Sequence, residues 1–456
     1  MKTQTADVAV IGAGIVGIAC ACYLARSARA PRVVMIDPLA PMSLTSAASG
    51  ENYRNWWPHP VMTAFTDYST DLMERIARDS DNQIHMTRRG YALATRQVDP
   101  DGLLRQLRDG YGADGASRIR MHGKGTSAQY RPALSADWRT APDGVDVIQD
   151  RATIDAHFPT FARDIATILH IRRAGDISGQ QMGSLMLRDL RERGGRVVPG
   201  RVVEVACDKR FALTVRGQDE VVSVTADILV NAAGPYIGQV AGLLGESLPV
   251  STVFQQKIAF EDVRAVIDRR MPFSIDLDAQ TIDWTDQERA LLADDPDTTW
   301  LTRPMPGGIH CRPEGGEQGR WIKLGWAFNT TPSEPSEDLP YLRTFPEIVL
   351  RGASRLNPGL KAYYDRLPSR LSHYGGYYTM TRENWPLIGP MKTPGAFVAG
   401  ALSGFGTMAA CATGALIATW VGGETPPDFA LALSRARYTD EALMTALLES
   451  GNTGVL

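Results

Sequence analysis

The chain has 456 residues, with 48 Lys and Arg against 51 Asp and Glu, for a formal net charge of −3. That length suits two or three domains with a large core, and a near-balanced charge without a basic cluster argues against a nucleic-acid partner. The five cysteines, Cys20, Cys22, Cys207, Cys311 and Cys411, form no C-x-x-C pair and no zinc spacing. They are expected as free thiols in a reducing, cytoplasmic setting, with no metal bound.

An apolar run, Val8 to Ile11, meets Gly12, Gly14 and Gly17 at G-x-G-x-x-G spacing. A helical apolar pattern follows through Leu24, then a second apolar run, Val33 to Ile36, ending in Asp37. The pattern predicts strand, tight turn, helix and strand. Gly12 makes the turn, Gly14 lets backbone approach a pyrophosphate, and Gly17 lets helix pack on strand. The turn residues Ala13, Ile15 and Val16 are expected at the same site, where the helix N-terminus attracts an anion. Asp37, 20 residues past Gly17, is placed to accept from ribose hydroxyls.

Next comes a Ser- and Ala-rich loop in which Thr45, Ser46, Ser49 and Gly50 are expected along the cofactor. It turns abruptly aromatic at Tyr53, Arg54, Asn55, Trp56 and Trp57. This segment covers either a domain interface or a cofactor edge, with Arg54 near the substrate in the second case. Helical periodicity runs over 61–78, strand pattern over 84–95, and a polar, mostly helical pattern over 97–165. Residues 168–177 predict a strand entering a turn, and 179–193 an amphipathic helix ending at Gly194-Gly195. A strand over 197–206, with Val203 toward the cofactor, precedes a hairpin at 211–224. The run Ile228 to Val230 then enters Ala233 and Gly234, small residues that let something approach closely.

Residues 250–330 mix charged, Pro-bearing stretches with strands such as 254–260 and 321–328, which predicts a separate antiparallel sheet capping the cofactor. His310 and Arg312 sit there in PGGIHCRPEGG, as carboxylate binders or as ordinary hydrogen-bonded sheet residues. A helical connection spans 338–362. The charge-free stretch Ala396 to Val421 has the composition of a membrane span, but Gly400, Gly404, Gly406 and Gly414 favour a buried strand, turn and helix. Gly404, Phe405, Gly406 and Thr407 would open that helix at the cofactor.

Taken together, the N-terminal glycine turn, ADILVNAAG, TRENWPLIG and the G-F-G at 404–406 resemble the FAD-dependent D-amino-acid oxidase superfamily, in its sarcosine oxidase and glycine oxidase branch. The resemblance implies an α/β fold of the D-amino-acid oxidase and glutathione-reductase-like FAD type. A Rossmann-like FAD-binding domain (1–95, 160–248 and 365–440) would be interleaved with an α+β substrate domain on an antiparallel sheet (96–159 and 249–364). Residue by residue, Lys323 in WIKLGW matches the sarcosine oxidase Lys that sits over the flavin and activates oxygen, and Tyr378 matches the active-site Tyr. Arg54 lies in the loop where those enzymes carry substrate-facing arginines.

The departures are informative. The Cys that bonds covalently to FAD falls on Gly376, and no His stands near Ala48–Ser49, so FAD should be non-covalent. The Lys that pairs the substrate carboxylate falls near Met408, and the active-site His on Ala327, implying a more apolar pocket. Trp56, Trp57, Tyr378 and Trp385 are candidates to line it.

The resemblance implies oxidation of an amino acid or secondary amine, with hydride transfer to the flavin, imine and hydrogen peroxide as products and molecular oxygen as acceptor. Catalytic candidates are Lys323, Tyr378, Arg54 and His310. A dehydrogenase of an amine or 2-hydroxy acid passing electrons to a quinone or protein, and a non-catalytic FAD-bound assembly protein, are the rival expectations.

Overall fold

Two large sheets, set side by side, organise the computed structural model, which describes residues 2–123, 129–132, 138–316 and 318–449. The first has six strands in the order Arg196–Pro199, Val33–Asp37, Val8–Ile11, Ile228–Asn231, Ala396–Gly400 and Leu387–Pro390. All pair in parallel except the last, which is antiparallel.

Its strands are continuous apolar runs because both faces are covered. Val8, Val10, Val33 and Met35 point into one core. Ala9, Ile11, Val34 and Ile36 point into the other. The helices Ile15–Arg26 and Gly406–Gly422 pack together on the first face. A four-stranded sheet of Lys2–Thr5, Val221–Ala226, Phe211–Arg216 and Arg201–Cys207 covers the second. The charge-free stretch near the C-terminus is thus a buried strand, turn and helix, and among the described residues no helix is long and apolar enough to cross a membrane.

The second sheet has nine strands, in the order Leu371–Thr381, Val250–Glu261, Trp321–Gly325, Ile309–Glu314, Phe273–Asp276, Tyr91–Thr95, Thr167–Ile171, Val145–Ile148 and Ile119–His122. Most pairs are antiparallel. Phe273–Asp276 with Tyr91–Thr95, and Ile119–His122 with Val145–Ile148, are parallel. Three strands from stretches expected to serve the cofactor, Tyr91–Thr95, Thr167–Ile171 and Leu371–Thr381, belong to this sheet.

The helical expectation for 97–165 holds at Asp101–Tyr111 and Arg151–His157, but the last two strands of the sheet lie between them. Residues 124–128 and 133–137 of that stretch lie outside the described residues. The charge that disguises the strand Val145–Ile148 is Asp146, which is 2 % exposed. Burial alone would raise its pKa; hydrogen bonds from Arg120 and His122 and the Arg172 charge carry it down to about 2 instead. Of the strand expected over 84–95, only Tyr91–Thr95 forms.

Candidate active site

The two glycine turns meet at one cavity of about 430 Å³. Gly12 is at φ +111°, and a Cβ there would lie 2.3 Å from the Ala232 carbonyl oxygen. A Cβ at Gly17 would lie 2.1 Å from the Gly12 oxygen. Strand, turn and helix are therefore in backbone contact, which only glycine permits. Gly14 differs, since a Cβ there would meet only the Ser46 hydroxyl, at 3.1 Å.

Gly14 also begins the helix with no side-chain cap. The Ser46 hydroxyl takes the Ile15 N–H at 2.9 Å. The second helix starts at Phe405, again with no side-chain cap. Two long helices thus turn their N-termini to one cavity, with Ser46 holding only the first N–H of one of them, an arrangement suited to an anionic dinucleotide. Asp37 borders the same space, its oxygens accepting the Ala13 and Leu39 N–H groups at 2.7 and 2.8 Å.

Ala13, Ile15, Val16, Thr45, Ser49, Gly50, Val203, Ala233, Gly234, Gly404, Gly406 and Thr407 also line the cavity, with a 2.7 Å hydrogen bond tying Ser49 to Thr407. Gly17 and Phe405 lie behind its wall. The two helix N-termini, the Gly14 gap and this lining fit FAD, whose pyrophosphate would be held at Gly14 and whose ring system would be held by Gly404–Thr407.

The nine-stranded sheet closes the cavity with Gly376, Tyr378 and Lys257. Gly404 and Tyr378 need each other, because a Cβ at 404 would lie 2.7 Å from the tyrosine ring. Lys257 comes from the strand Val250–Glu261, is 8 % exposed, and donates to the Ala48 carbonyl and the Tyr378 hydroxyl, each at 3.4 Å. The sequence reading missed this lysine. Its one signal was a charge inside the strand-like stretch FQQKIAF.

Lys323 opens onto a neighbouring cavity of about 490 Å³, shared with Tyr236, Tyr341, Tyr374 and Tyr377. Its ammonium lies 3.4 Å from Glu51 Oε2 and 3.0 Å from Glu314 Oε2. Arg312 joins the same cluster through Glu314 at 2.7 Å and Asp176 at 3.3 Å. His310 packs against Lys257 and Gly325 and donates from Nδ1 to the Gly308 carbonyl at 3.3 Å. Burial first, then the Lys257 charge, pushes its pKa down to about 3, so it is neutral.

Arg54 ends a short strand, Asn52–Arg54, paired with Ala174–Asp176. It is 0 % exposed, and among the described residues none of its three guanidinium nitrogens has a hydrogen-bond acceptor. Instead it is boxed by the rings of Trp57 at 4.3 Å, Tyr91 at 5.8 Å and Trp56 at 6.0 Å. Burial pushes its pKa down to about 10, which leaves it charged at neutral pH. Arg54 lines neither cavity; Trp57 stands between it and Phe405, whose ring is 4.8 Å away. Trp385 packs on His59, which caps the helix Pro60–Asp79, and His373 bonds to Gln256 at 2.9 Å.

A family model for FAD dependent oxidoreductases matches residues 7–420. The chain belongs to this FAD-dependent oxidoreductase family. Among solved structures, glycine oxidase from Geobacillus kaustophilus superposes with a TM-score of 0.68 at 16 % identity, covering 94 % of this chain and 98 % of its own. L-proline dehydrogenase from P. horikoshii gives 0.70 at 15 %, covering 96 % and 99 %. Iminodiacetate oxidase from Chelativorans sp. BNC1 gives 0.65 at 18 %, covering 92 % and 96 %. At these identities the likeness is one of fold. No curated protein matches the chain by sequence.

How this FAD-dependent oxidoreductase holds its cofactor is testable. Among the described residues, neither cavity is lined by a Cys or a His, and Gly376 leaves only its backbone against Thr45 and Ala48. Acid precipitation of the yellow protein is expected to leave all the flavin in the supernatant. Flavin in the washed pellet would contradict this.

Proposed function

We propose that the enzyme oxidises an amine that carries a carboxylate, an amino acid or its N-substituted form, to the imine, and passes the electrons to oxygen to give hydrogen peroxide. The observation behind this reading is Arg54. A fully buried guanidinium without an acceptor is costly to fold around, and a substrate carboxylate is the partner it lacks. The bound FAD supplies the two-electron acceptor. The chain supplies the rest. Arg54, which lies behind Trp57 rather than on the cavity wall, would hold the carboxylate in a two-pronged, charge-assisted contact once Trp57 gives way to the substrate. Around Arg54 the rings of Trp57 and Tyr91, with Phe405 behind Trp57, would withhold water from an amine held there and favour its neutral form. Tyr378, fixed by Lys257 and Gly404, forms the wall against which the substrate is oriented.

The acceptor carries a second reading. Lys323, the match to the oxygen-activating lysine, is neutralised by two carboxylates, which favours a dehydrogenase using a quinone or protein partner. Assaying peroxide release across amino acids, N-alkyl amino acids, plain amines and 2-hydroxy acids separates these readings. Peroxide from carboxylated amines is the expected result. Reduction of the flavin by those amines without peroxide would assign a dehydrogenase. A response to 2-hydroxy acids alone would overturn the proposal.

A further inference from the structure

Two lysines stand on one face of the cap sheet, where Lys257 pairs with Gly325 and Ala259 with Lys323. Their surroundings differ. Lys323 sits among Glu51, Glu314 and Arg312, with its charge compensated. Lys257 lines the cavity where the glycine turns meet, and its ammonium touches only two neutral oxygens. Among the described residues it forms no ion pair. The sheet is cut back to seat it: a Cβ at Gly325 would lie 3.1 Å from Lys257 Cγ and 2.3 Å from His310 Nε2. A buried cation without an anion is unfavourable, so the working state should provide one. Reduction by two electrons and one proton adds one negative charge to the cofactor, which supplies the missing counter-charge.

We propose that Lys257, rather than Lys323, is the fixed positive charge that stabilises reduced FAD and sets its potential. The inference rests on FAD filling this cavity and is independent of which substrate donates the electrons. A lysine with no competing carboxylate keeps its full field toward the cavity, whereas one flanked by two is screened by them.

The test is the two-electron midpoint potential of the holoenzymes, read by dithionite titration against a reference dye, with no amine substrate present. Lys257→Met should shift the reduction equilibrium at least tenfold toward the oxidised form, about 30 mV lower in potential. Lys257→Arg, which keeps the charge, and Lys323→Met should each stay within threefold of the parent enzyme. If Lys257→Met does not retain flavin, Lys257→Gln, which keeps a polar tip near Ala48 and Tyr378, is measured in its place. An unchanged potential without the Lys257 charge, or an equal or larger drop in Lys323→Met, would overturn the assignment. Because no amine is used, a failed substrate panel and a failed potential shift are distinguishable.

Discussion

Gly17→Ala should yield a protein without flavin and with a markedly lower melting temperature. The added methyl would be placed 2.1 Å from the Gly12 oxygen and 2.9 Å from its carbonyl carbon, both backbone atoms. Gly12 cannot retreat, because its own Cβ position lies 2.3 Å from the Ala232 oxygen. The helix Ile15–Arg26 must therefore lift from the sheet. Forced overpacking of this kind costs about 1–3 kcal/mol or more. Losing a cofactor present at a thousand times its Kd removes about another 4 kcal/mol. Gly14→Val is the informative contrast. Only the Ser46 hydroxyl stands near that Cβ, and Gly14 at φ −71° has backbone angles that valine adopts. That variant should fold yet hold no flavin, since the side chain takes the space the pyrophosphate needs. The ratio of flavin to protein absorbance, with melting curves, checks both. Gly17→Ala purified with full flavin would refute the backbone-contact account.

Arg54→Met is expected to abolish preference for carboxylated substrates without weakening the fold. In a desolvated site the lost fork is worth about 2–4 kcal/mol, roughly 30- to 900-fold in kcat/KM for an amino acid. The matching plain amine should change far less. An arginine kept for structure would behave oppositely. Its removal would lower the melting temperature, because structural arginines answer buried acceptors, as Arg437 does with Glu383 and the Pro386 carbonyl. Arg54 answers none, and methionine fills similar space between Trp57 and Tyr91 with no charge to bury. The substrate-free Arg54→Met protein should therefore melt no lower than its parent. Equal losses for both substrate kinds, together with a large drop in melting temperature, would make Arg54 structural.

What could be read from the residues follows from how local each signal is. The N-terminal turn was legible because strand, glycine spacing and acid lie within one short stretch whose geometry is set by its own backbone. The same holds for Gly404 to Gly406. Arg54 was placed near the substrate, but its complete burial depends on a strand pairing with Ala174–Asp176, far away in the chain. Lys257 was passed over for a similar reason. Which face of Val250–Glu261 meets the cavity is decided by its two neighbours, Trp321–Gly325 and Leu371–Thr381. The strand Val145–Ile148 was hidden because its buried charge, Asp146, is stabilised by Arg120, Arg172 and His122 from other segments. Signals that need a distant partner to make sense were the ones missed.

The claim that the enzyme oxidises carboxylated amines is tested most directly by mixing it anaerobically with a matched pair, an amino acid and the amine left when its carboxylate is removed. Loss of the oxidised flavin absorbance is followed in each case, so the acceptor plays no part. The account predicts rapid bleaching by members of the amino-acid and N-alkyl amino-acid series, and reduction at least 30-fold slower by the decarboxylated partner at equal concentration. Bleaching at equal rates by both members, or by neither across the whole series, would contradict it.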